Sequence, residues 1–444
     1  MEVRDPVHGF ISYDELEEKL LNSRVVQRLR GIKQLAMCYL VYPGALHTRF
    51  DHSLGVMYVA GQMAERLGLG EKERRFVRIA GLLHDVGHAP FSHVGEQVLC
   101  RLAGSEAKTE LGLSESENQY HEALGAKIIK EQLGRDLPEE LKELSGFFKK
   151  GSQHVMRAII DGPLDADKLD YLLRDSYFTG VRYGLFDFPK VLESLVRVEI
   201  GGGRWEIGIE DEGVHAAEQL LLARYHMQSQ VYFHRVRRIT DAMLLRAIEL
   251  SVVEEEIREV KEAFLVEKFD LDLFLSLDDS RLMEIVLSSS CGSAKQILLR
   301  LKRRHLWKEM FEFDIVNDYP DVLDLEAVRN ITPEQTKEAE EYLAKQIFET
   351  PAVEVVVDKQ TQRSPAFRNP LSRMDPTQLV VVTKRGPRKA FGDVSQVFSN
   401  PVSPVREYLY VYAPFEGTRQ KRMEFSKNHR DRVRKAIVEI ARGR

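Results

Sequence analysis

Three short stretches of this chain carry side chains suited to holding one divalent cation. They are Arg49-Phe-Asp-His52-Ser-Leu-Gly, Ala80-Gly-Leu-Leu-His84-Asp85-Val-Gly-His88-Ala-Pro-Phe-Ser-His93 and Asp165-Ala-Asp167-Lys168-Leu-Asp-Tyr171-Leu-Leu-Arg-Asp175. His52, His84, Asp85 and Asp167 together offer two imidazoles and two carboxylates. That donor set suits Fe, Mn, Ni, Zn or Mg, and imidazole moves the balance toward transition metals. Four protein ligands on a six-coordinate ion leave positions for water and a phosphate oxygen. An ion so held makes bound water a nucleophile and neutralises phosphoryl charge, which is the chemistry of phosphoester or phosphoanhydride hydrolysis. A His-Asp pair on a helix also has a bland structural reading, and among 13 histidines the HxxxH spacing of His84 and His88 arises by chance. No HExxH pattern points to a zinc protease. The argument for a site is the joint context of all three segments.

The third segment is the most informative of them. Asp167, Lys168, Tyr171 and Asp175 follow i, i+1, i+4, i+8 spacing and share an arc of about 100° on a helix. A carboxylate, an ammonium, a phenol and a second carboxylate make a poor apolar stripe and a sensible ligand face. Leu169, Leu172 and Leu173 supply core contacts elsewhere on the same helix. Arg224, Tyr232 and Arg235 are spaced to share one side of a later helix, where a guanidinium can grip phosphate and a tyrosine can pack under a sugar. Taken alone, that face reads equally well as solvated.

These groups need helices to position them. Residues 1 to about 330 read mainly as helical. Apolar groups at helical spacing run from Leu54 to Leu67 and stop at Gly68 and Gly70. The next helix starts near Glu71 and aligns Phe76, Ile79, Ala80 and Leu83, which turns His84 inward, and Pro90 lies just beyond it. A polar stretch near 104–120 reads as a loop or flap. Helices are expected again at 121–133, 164–176 and 214–250, with less distinctive ones to about Glu312, and a hairpin is expected at Val196–Ile209. Beyond Pro333 a helix precedes three β-rich runs, Val353–Val357, Leu379–Thr383 and Tyr408–Tyr412, and a basic terminal helix follows. The expected fold is therefore mainly α: a helical catalytic domain over residues 1–330 and a small basic α+β lobe over 331–444.

Bulk composition narrows the setting. The net charge of −5 hides a division: from Lys359 onward there are 19 Lys/Arg against 7 Asp/Glu, a balance of +12, leaving 45 basic and 62 acidic residues before it. A basic lobe can bind nucleic acid, nucleotide or an acidic neighbour, or simply be a solvated surface. Cys38, Cys100 and Cys291 are too scattered for a disulfide framework or a cysteine zinc site. The opening residues lack signal-peptide character, and no apolar run approaches the ~18 residues of a membrane span. A soluble cytoplasmic protein without membrane partners is expected.

At these same residues the chain resembles the HD-domain superfamily of metal-dependent phosphohydrolases, and more narrowly the deoxynucleoside triphosphate triphosphohydrolases. The matching stretches include Asp5-Pro-Val-His-Gly, Gln27 through Leu35, Tyr42-Pro-Gly-Ala, the three segments above and Arg224 through Val236, so they cover roughly the first 240 residues. The resemblance implies a helical HD core and one transition metal on His52, His84, Asp85 and Asp167. It assigns His88, His93, Glu96 and His121 to a catalytic histidine-carboxylate network, although relatives carry Asp where Glu96 stands. His93 then acts as general acid toward the leaving oxygen, a task suited to imidazole.

The resemblance also places Arg49, Lys168 and Arg224 on the triphosphate, with Mg accompanying it, and Tyr171 and Asp175 near the sugar 3′-hydroxyl. Gln34, Leu35 and Tyr232 would crowd the sugar and exclude a ribose 2′-hydroxyl. It further implies a homo-oligomer, tetramer or dimer, with an activating nucleotide at Asn22, Gln27, Arg30 and Arg197. Asn22 stands where the family has a guanine-reading aspartate, and a neutral amide cannot offer guanine two carboxylate acceptors. The basic pair expected near Ile209–Asp211 is absent. Activation by another nucleotide, or none, stays open. Two other readings compete: an HD nucleotidase or phosphodiesterase acting on other nucleotides, and a nucleic-acid-binding protein working through its basic lobe.

Overall fold

A computed structural model describes residues 1–102, 108–109, 111, 113, 120–135, 137–148, 156–201, 204–253, 257–264, 270–290, 292–362, 379–383, 388–398 and 406–443. The expected flap near 104–120 lies mostly outside them. The fold is mainly helical with three small sheets. The chain forms two compact units. One comprises residues 1–233, 248–290 and 365–402; the other comprises 234–247, 291–364 and 403–444.

The first unit starts with a short antiparallel hairpin, β1 (Glu2–Asp5) and β2 (Gly9–Ser12), that the sequence reading passed over. Helices α1 (Glu15–Leu21) and α2 (Arg24–Arg28) follow. Helix α3 (Arg49–Arg66) is the spine of the unit and packs on α4 (Glu71–Leu83). It begins at a capping box: Thr48 accepts the Asp51 amide, and Asp51 accepts the Thr48 amide at 2.8 Å. Asp51 is thereby committed to the helix end, and the next residue, His52, points inward. Val56, Met57, Val59, Ala60 and Met63 are fully buried along α3, each aliphatic side chain stabilising the core by about 2 kcal/mol.

Helices α5 (His93–Leu102) and α6 (Tyr120–Ile128) come next, followed by α7 (Ala166–Thr179), which packs on α3. Asp165 caps α7 by accepting the Lys168 amide at 2.7 Å, and Gly180, at φ +75°, ends it. The hairpin expected at 196–209 is β3 (Leu195–Gly201) against β4 (Arg204–Glu210).

The helix expected over 214–250 is two helices, α8 (Val214–Met227) and α9 (Arg235–Val253). A wide turn at Gln228–Tyr232 takes Phe233 out of helical geometry, and the His234 imidazole accepts the Val236 amide at 3.2 Å, starting α9 afresh. Neither Gly nor Pro marks that break. The spacing argument for Arg235 assumed one continuous helix, and the break interrupts it. Helix α10 (Asp279–Ser288) belongs to the first unit as well.

The second unit is built on a three-stranded antiparallel sheet. Its strand β5 (Lys308–Asp314) replaces the last of the helices expected before Glu312. Phe311 and Phe313 face the core while Glu312 faces out, a period-two pattern too short to stand out between charged residues. Helix α11 (Pro333–Leu343) begins at a Thr332/Gln335 capping box with Pro at its first position. Strand β6 (Val356–Gln362) starts three residues later than Val353, because Ala352–Glu354 form a 3₁₀ turn.

Strands β7 (Val380–Val382) and β8 (Lys389–Ala390) extend the β3–β4 sheet of the first unit, β7 lying parallel to β4. Strand β9 (Arg406–Ala413) is central between β5 and β6, and α12 (Arg419–Ala441) closes the second unit over Val433 and Ile437. No helix of the described residues is long and apolar enough to cross a membrane.

Candidate active site

Helices α3, α4 and α7 bring the three sequence segments together. His52 Nε2 lies 2.9 Å from Asp167 Oδ1 and 3.9 Å from Asp85 Oδ2. His84 Nε2 lies 3.2 Å from Asp85 Oδ1 and 3.8 Å from Asp167 Oδ1. His52, His84 and Asp85 form one group with donors close enough for a shared ion, and Asp167 adjoins it through both imidazoles. Asp167 is the open side, its side chain about a third exposed at 35%, against 1% for His52 and 5% for Asp85.

Both imidazoles have their other nitrogen committed. His84 Nδ1–H donates to the Gly81 carbonyl at 2.7 Å, so its Nε2 is a lone pair facing carboxylate oxygen. That buried nitrogen has no hydrogen-bond partner. Acceptor facing acceptor in the interior needs a bridging cation or proton. His52 Nδ1–H donates to Asp170 Oδ2 at 2.7 Å, which aims Nε2 at Asp85 and Asp167. Burial opposes charge on His52, but hydrogen bonds to Asp167 and Asp170 outweigh it and raise its pKa to about 10. A proton at Nε2 thus stands where a metal would, and metal uptake must displace it. The residues present therefore fit a divalent ion.

Asp170 was not singled out from the sequence. It is fully buried, three residues after Asp167, and it also accepts from His8 Nε2–H at 2.6 Å and from the Arg174 guanidinium at 2.8 Å. Carboxylates of this kind orient metal-binding histidines. Space for it comes from Gly55, where a Cβ would lie 1.8 Å from Asp170 Oδ1. That is the physical reason for glycine after His52-Ser-Leu. Periodicity of α7 gave no signal for Asp170, because it shares the buried side with Leu169 and Arg174.

Beside this group stand His88, Glu96 and His121, with His93 at the rim. His88 Nε2 is 3.3 Å from Asp85 Oδ1, and its Nδ1 is buried without a partner. Glu96 accepts a short hydrogen bond from His121 Nδ1–H and a longer one, 3.4 Å, from His93 Nδ1–H. Burial raises the Glu96 pKa, but these imidazoles hold it far below the usual carboxylate range. Burial and the nearby Arg49 and His121 charges push His88 well down. Burial works against charge on His121 too, yet Glu96 raises it.

His88, Glu96 and His121 lie close enough to suggest a second ion. The His88 and His121 rings, however, are stacked at 4.4 Å and 7°. Imidazole lone pairs lie in the ring plane, so two parallel planes cannot both aim at one cation. The arrangement links His93 and His121 through one carboxylate and stacks His88 on His121, a geometry better suited to passing a proton than to holding an ion. Gly87 makes it reachable, since a Cβ there would lie 2.0 Å from the His121 carbonyl oxygen.

Cationic and aromatic groups stand near this cluster. Arg49 is buried; its guanidinium donates to Asp85 at 2.5 Å and to Ser92 Oγ at 2.8 Å, and its remaining Nη2 has no partner. Lys168 bonds Asp165 and the Gly162 carbonyl. Burial lowers its pKa, but Asp165 and Asp167 win and raise it, against the Arg224 charge nearby. Tyr171 and Tyr232 meet edge to face at 6.3 Å, and Tyr232 donates to Asp175 Oδ2 at 2.6 Å. His47, which the sequence reading missed, donates to the other Asp175 oxygen at 2.7 Å and stacks on Phe178. Gln34 keeps a buried carbonyl oxygen unpartnered next to the buried Leu35.

The expected regulatory residues lie at the end of α1, in α2 and the turn after it, and on β3. Asn22 ends α1, Gln27 accepts from Arg30 Nε–H at 2.9 Å, and Arg30 stacks on Phe50 at 3.5 Å. Arg197 sits on β3 over Trp205.

This fold and this cluster define a class. Residues 49–174 match the HD domain and residues 203–377 match the HD associated region. The chain is 31% identical over 441 residues to an uncharacterized protein of Methanocaldococcus jannaschii, covering 99% of this chain and 84% of that one. It belongs to the HD-domain family. It is also 31% identical over 352 residues to deoxynucleoside triphosphate triphosphohydrolase SAMHD1 of Gallus gallus, covering 71% of this chain and 57% of that enzyme. Against several other curated relatives the chain likewise spans between half and two thirds of their length. A phosphohydrolase of Bacteroides thetaiotaomicron shares the fold, with a TM-score of 0.71 over 93% of this chain and 99% of that one, at 24% identity.

Proposed function

We propose that the protein hydrolyses deoxynucleoside triphosphates to deoxynucleoside and inorganic triphosphate. The observation that carries this reading is the pair of imidazoles, buried His52 and half-buried His84, their Nδ1 atoms committed and their Nε2 atoms converging on Asp85 and Asp167, beside buried Arg49 and half-buried Lys168. A divalent ion on His52, His84, Asp85 and Asp167, of Fe, Mn, Ni or Zn type, supplies a polarised phosphoryl oxygen and an activated water when bound. Arg49, Lys168 and Arg224 hold the triphosphate, with Mg accompanying it. His93 protonates the sugar 5′ oxygen as its bond to phosphorus breaks, and Glu96 and His121 orient that imidazole and return its proton. Water contributes the oxygen that stays on the triphosphate.

Tyr171 and Asp175 receive the sugar 3′-hydroxyl. Gln34, Leu35 and Tyr232 crowd the sugar and exclude a ribose 2′-hydroxyl. In this reading the chain works in the cytoplasm as a homo-oligomer, dimer or tetramer, with Asn22, Gln27, Arg30 and Arg197 available to a regulatory nucleotide. The test is a metal-supplemented nucleotide panel with product identification. Intact triphosphate should appear, and dATP should be turned over roughly tenfold or more faster than ATP. Equal rates would remove the sugar preference. Orthophosphate or nucleoside monophosphate as product would replace this reading with a nucleotidase or phosphodiesterase.

A further inference from the structure

The turn that joins His88 to His93 has an unusual backbone. Phe91 and Ser92 both stand in the left-handed region, at φ +61° and +56°, and neither is glycine. Such a conformation persists only where the surroundings over-determine it. What holds it here comes from nearly 190 residues downstream, at the start of α10.

Asp279 is 2% exposed. Its Oδ1 accepts the Phe91 amide at 2.6 Å and its Oδ2 accepts the Lys33 amide at 3.0 Å. The Lys33 carbonyl in turn accepts from Ser92 Oγ–H at 2.7 Å, and Ser92 Oγ accepts from Arg49 Nε–H, whose guanidinium holds Asp85. Two residues earlier, the Leu277 carbonyl accepts Arg28 Nε–H at 2.8 Å, and Arg28 Nη1–H reaches the His88 carbonyl at 2.9 Å. Phe274 lies under that guanidinium, 4.6 Å from its centre to the ring. The segment Leu277–Asp279 thus grips both ends of the turn.

A core filler would be apolar, because an ionised group in the interior is unfavourable unless paired. Burial pushes the Asp279 carboxyl up to about 6 in spite of the two amides and the Lys33 ammonium 3.7 Å away. A carboxylate kept there and aimed at two amides sets backbone geometry.

We infer that Asp279, aided by Arg28, is a positioning residue for His88 and His93, holding the turn that sets their distance from the phosphorus being attacked. It touches no substrate and acts through Phe91, Ser92 and the His88 carbonyl. This rests on the function proposed above. The test compares full-length, metal-loaded wild type with Asp279→Ala, Asp279→Asn and Arg28→Lys for kcat, KM, metal content and the imidazole NMR signals of His88 and His93. Asp279→Ala should lower kcat roughly ten- to hundredfold with unchanged metal content and KM within about twofold.

Asp279→Asn keeps a carbonyl acceptor for the Phe91 amide and should recover most of kcat. Should Asp279→Ala fail to fold, Arg28→Lys decides, because it keeps the charge but loses the second donor and should show the same kcat-selective loss. A wild-type kcat in the folded variant, or a loss confined to KM or metal content, overturns the inference. If the wild type hydrolyses no nucleotide, the proposed function fails on its own; the His88 and His93 signals must still move in Asp279→Ala, and unmoved signals overturn the positioning.

Discussion

Replacing Asp167 by alanine should leave a folded protein that retains no metal and turns over no nucleotide. Asp167 stands one residue inside α7, and the helix start is secured by Asp165, which accepts the Lys168 amide. Alanine is the best helix former, so α7 should persist. What disappears is the carboxylate 2.9 Å from His52 and 3.8 Å from His84, the one member of the set open to a ligand. Charge stabilisation by such an ion amounts to several kcal/mol, so the loss of rate should be at least about a thousandfold. Metal analysis and circular dichroism on the purified variant check both halves. Asp170→Asn should be milder for the metal: it leaves the ion's own contacts intact but weakens the bonds to His52, His8 and Arg174, lowering metal affinity about 10–100-fold and thermal stability with it. An Asp167→Ala protein that keeps stoichiometric metal would remove Asp167 from the site.

The second large effect separates proton transfer from metal binding. His93→Ala should lower kcat by about 10²–10⁴, with metal content and thermal stability as in the wild type. His93 is 63% exposed and makes one long hydrogen bond, to Glu96, so its removal opens no cavity and strands no buried partner. Glu96 keeps its stronger bond from His121. The contrast with Asp167→Ala is diagnostic: one variant is metal-free, the other metal-replete, and both are slow. A His93→Ala enzyme within twofold of wild type would assign the acid to another group.

How much of this was legible in the sequence depended on the kind of signal each residue gives. His52, His84, Asp85 and Asp167 announce themselves because polar ligands interrupt apolar helical stripes, and the helices that carry them, α3, α4 and α7, have clear caps and periodicity. The β3–β4 hairpin and the α11 start were readable for the same reason. Asp170, His47 and Asp279 were not. Each is a buried polar residue whose partner at the site is more than 100 residues away, and local spacing carries no record of a partner at that distance. The break between α8 and α9 was invisible because it uses a side-chain cap from His234 in place of Gly or Pro. Strand β5 escaped because four alternating residues among charges look like the end of a helix. Strands β7 and β8, which the sequence joins to the basic lobe, group with the first unit because β7 pairs with β4.

The most direct measurement is anomalous diffraction from crystals grown with manganese, collected at the metal edge. The account predicts one strong peak bonded by His52 Nε2, His84 Nε2, Asp85 and Asp167, with His88, Glu96 and His121 outside bonding distance. A peak held by His88, Glu96 and His121 instead, or none near the His84-Asp85 pair, would contradict it.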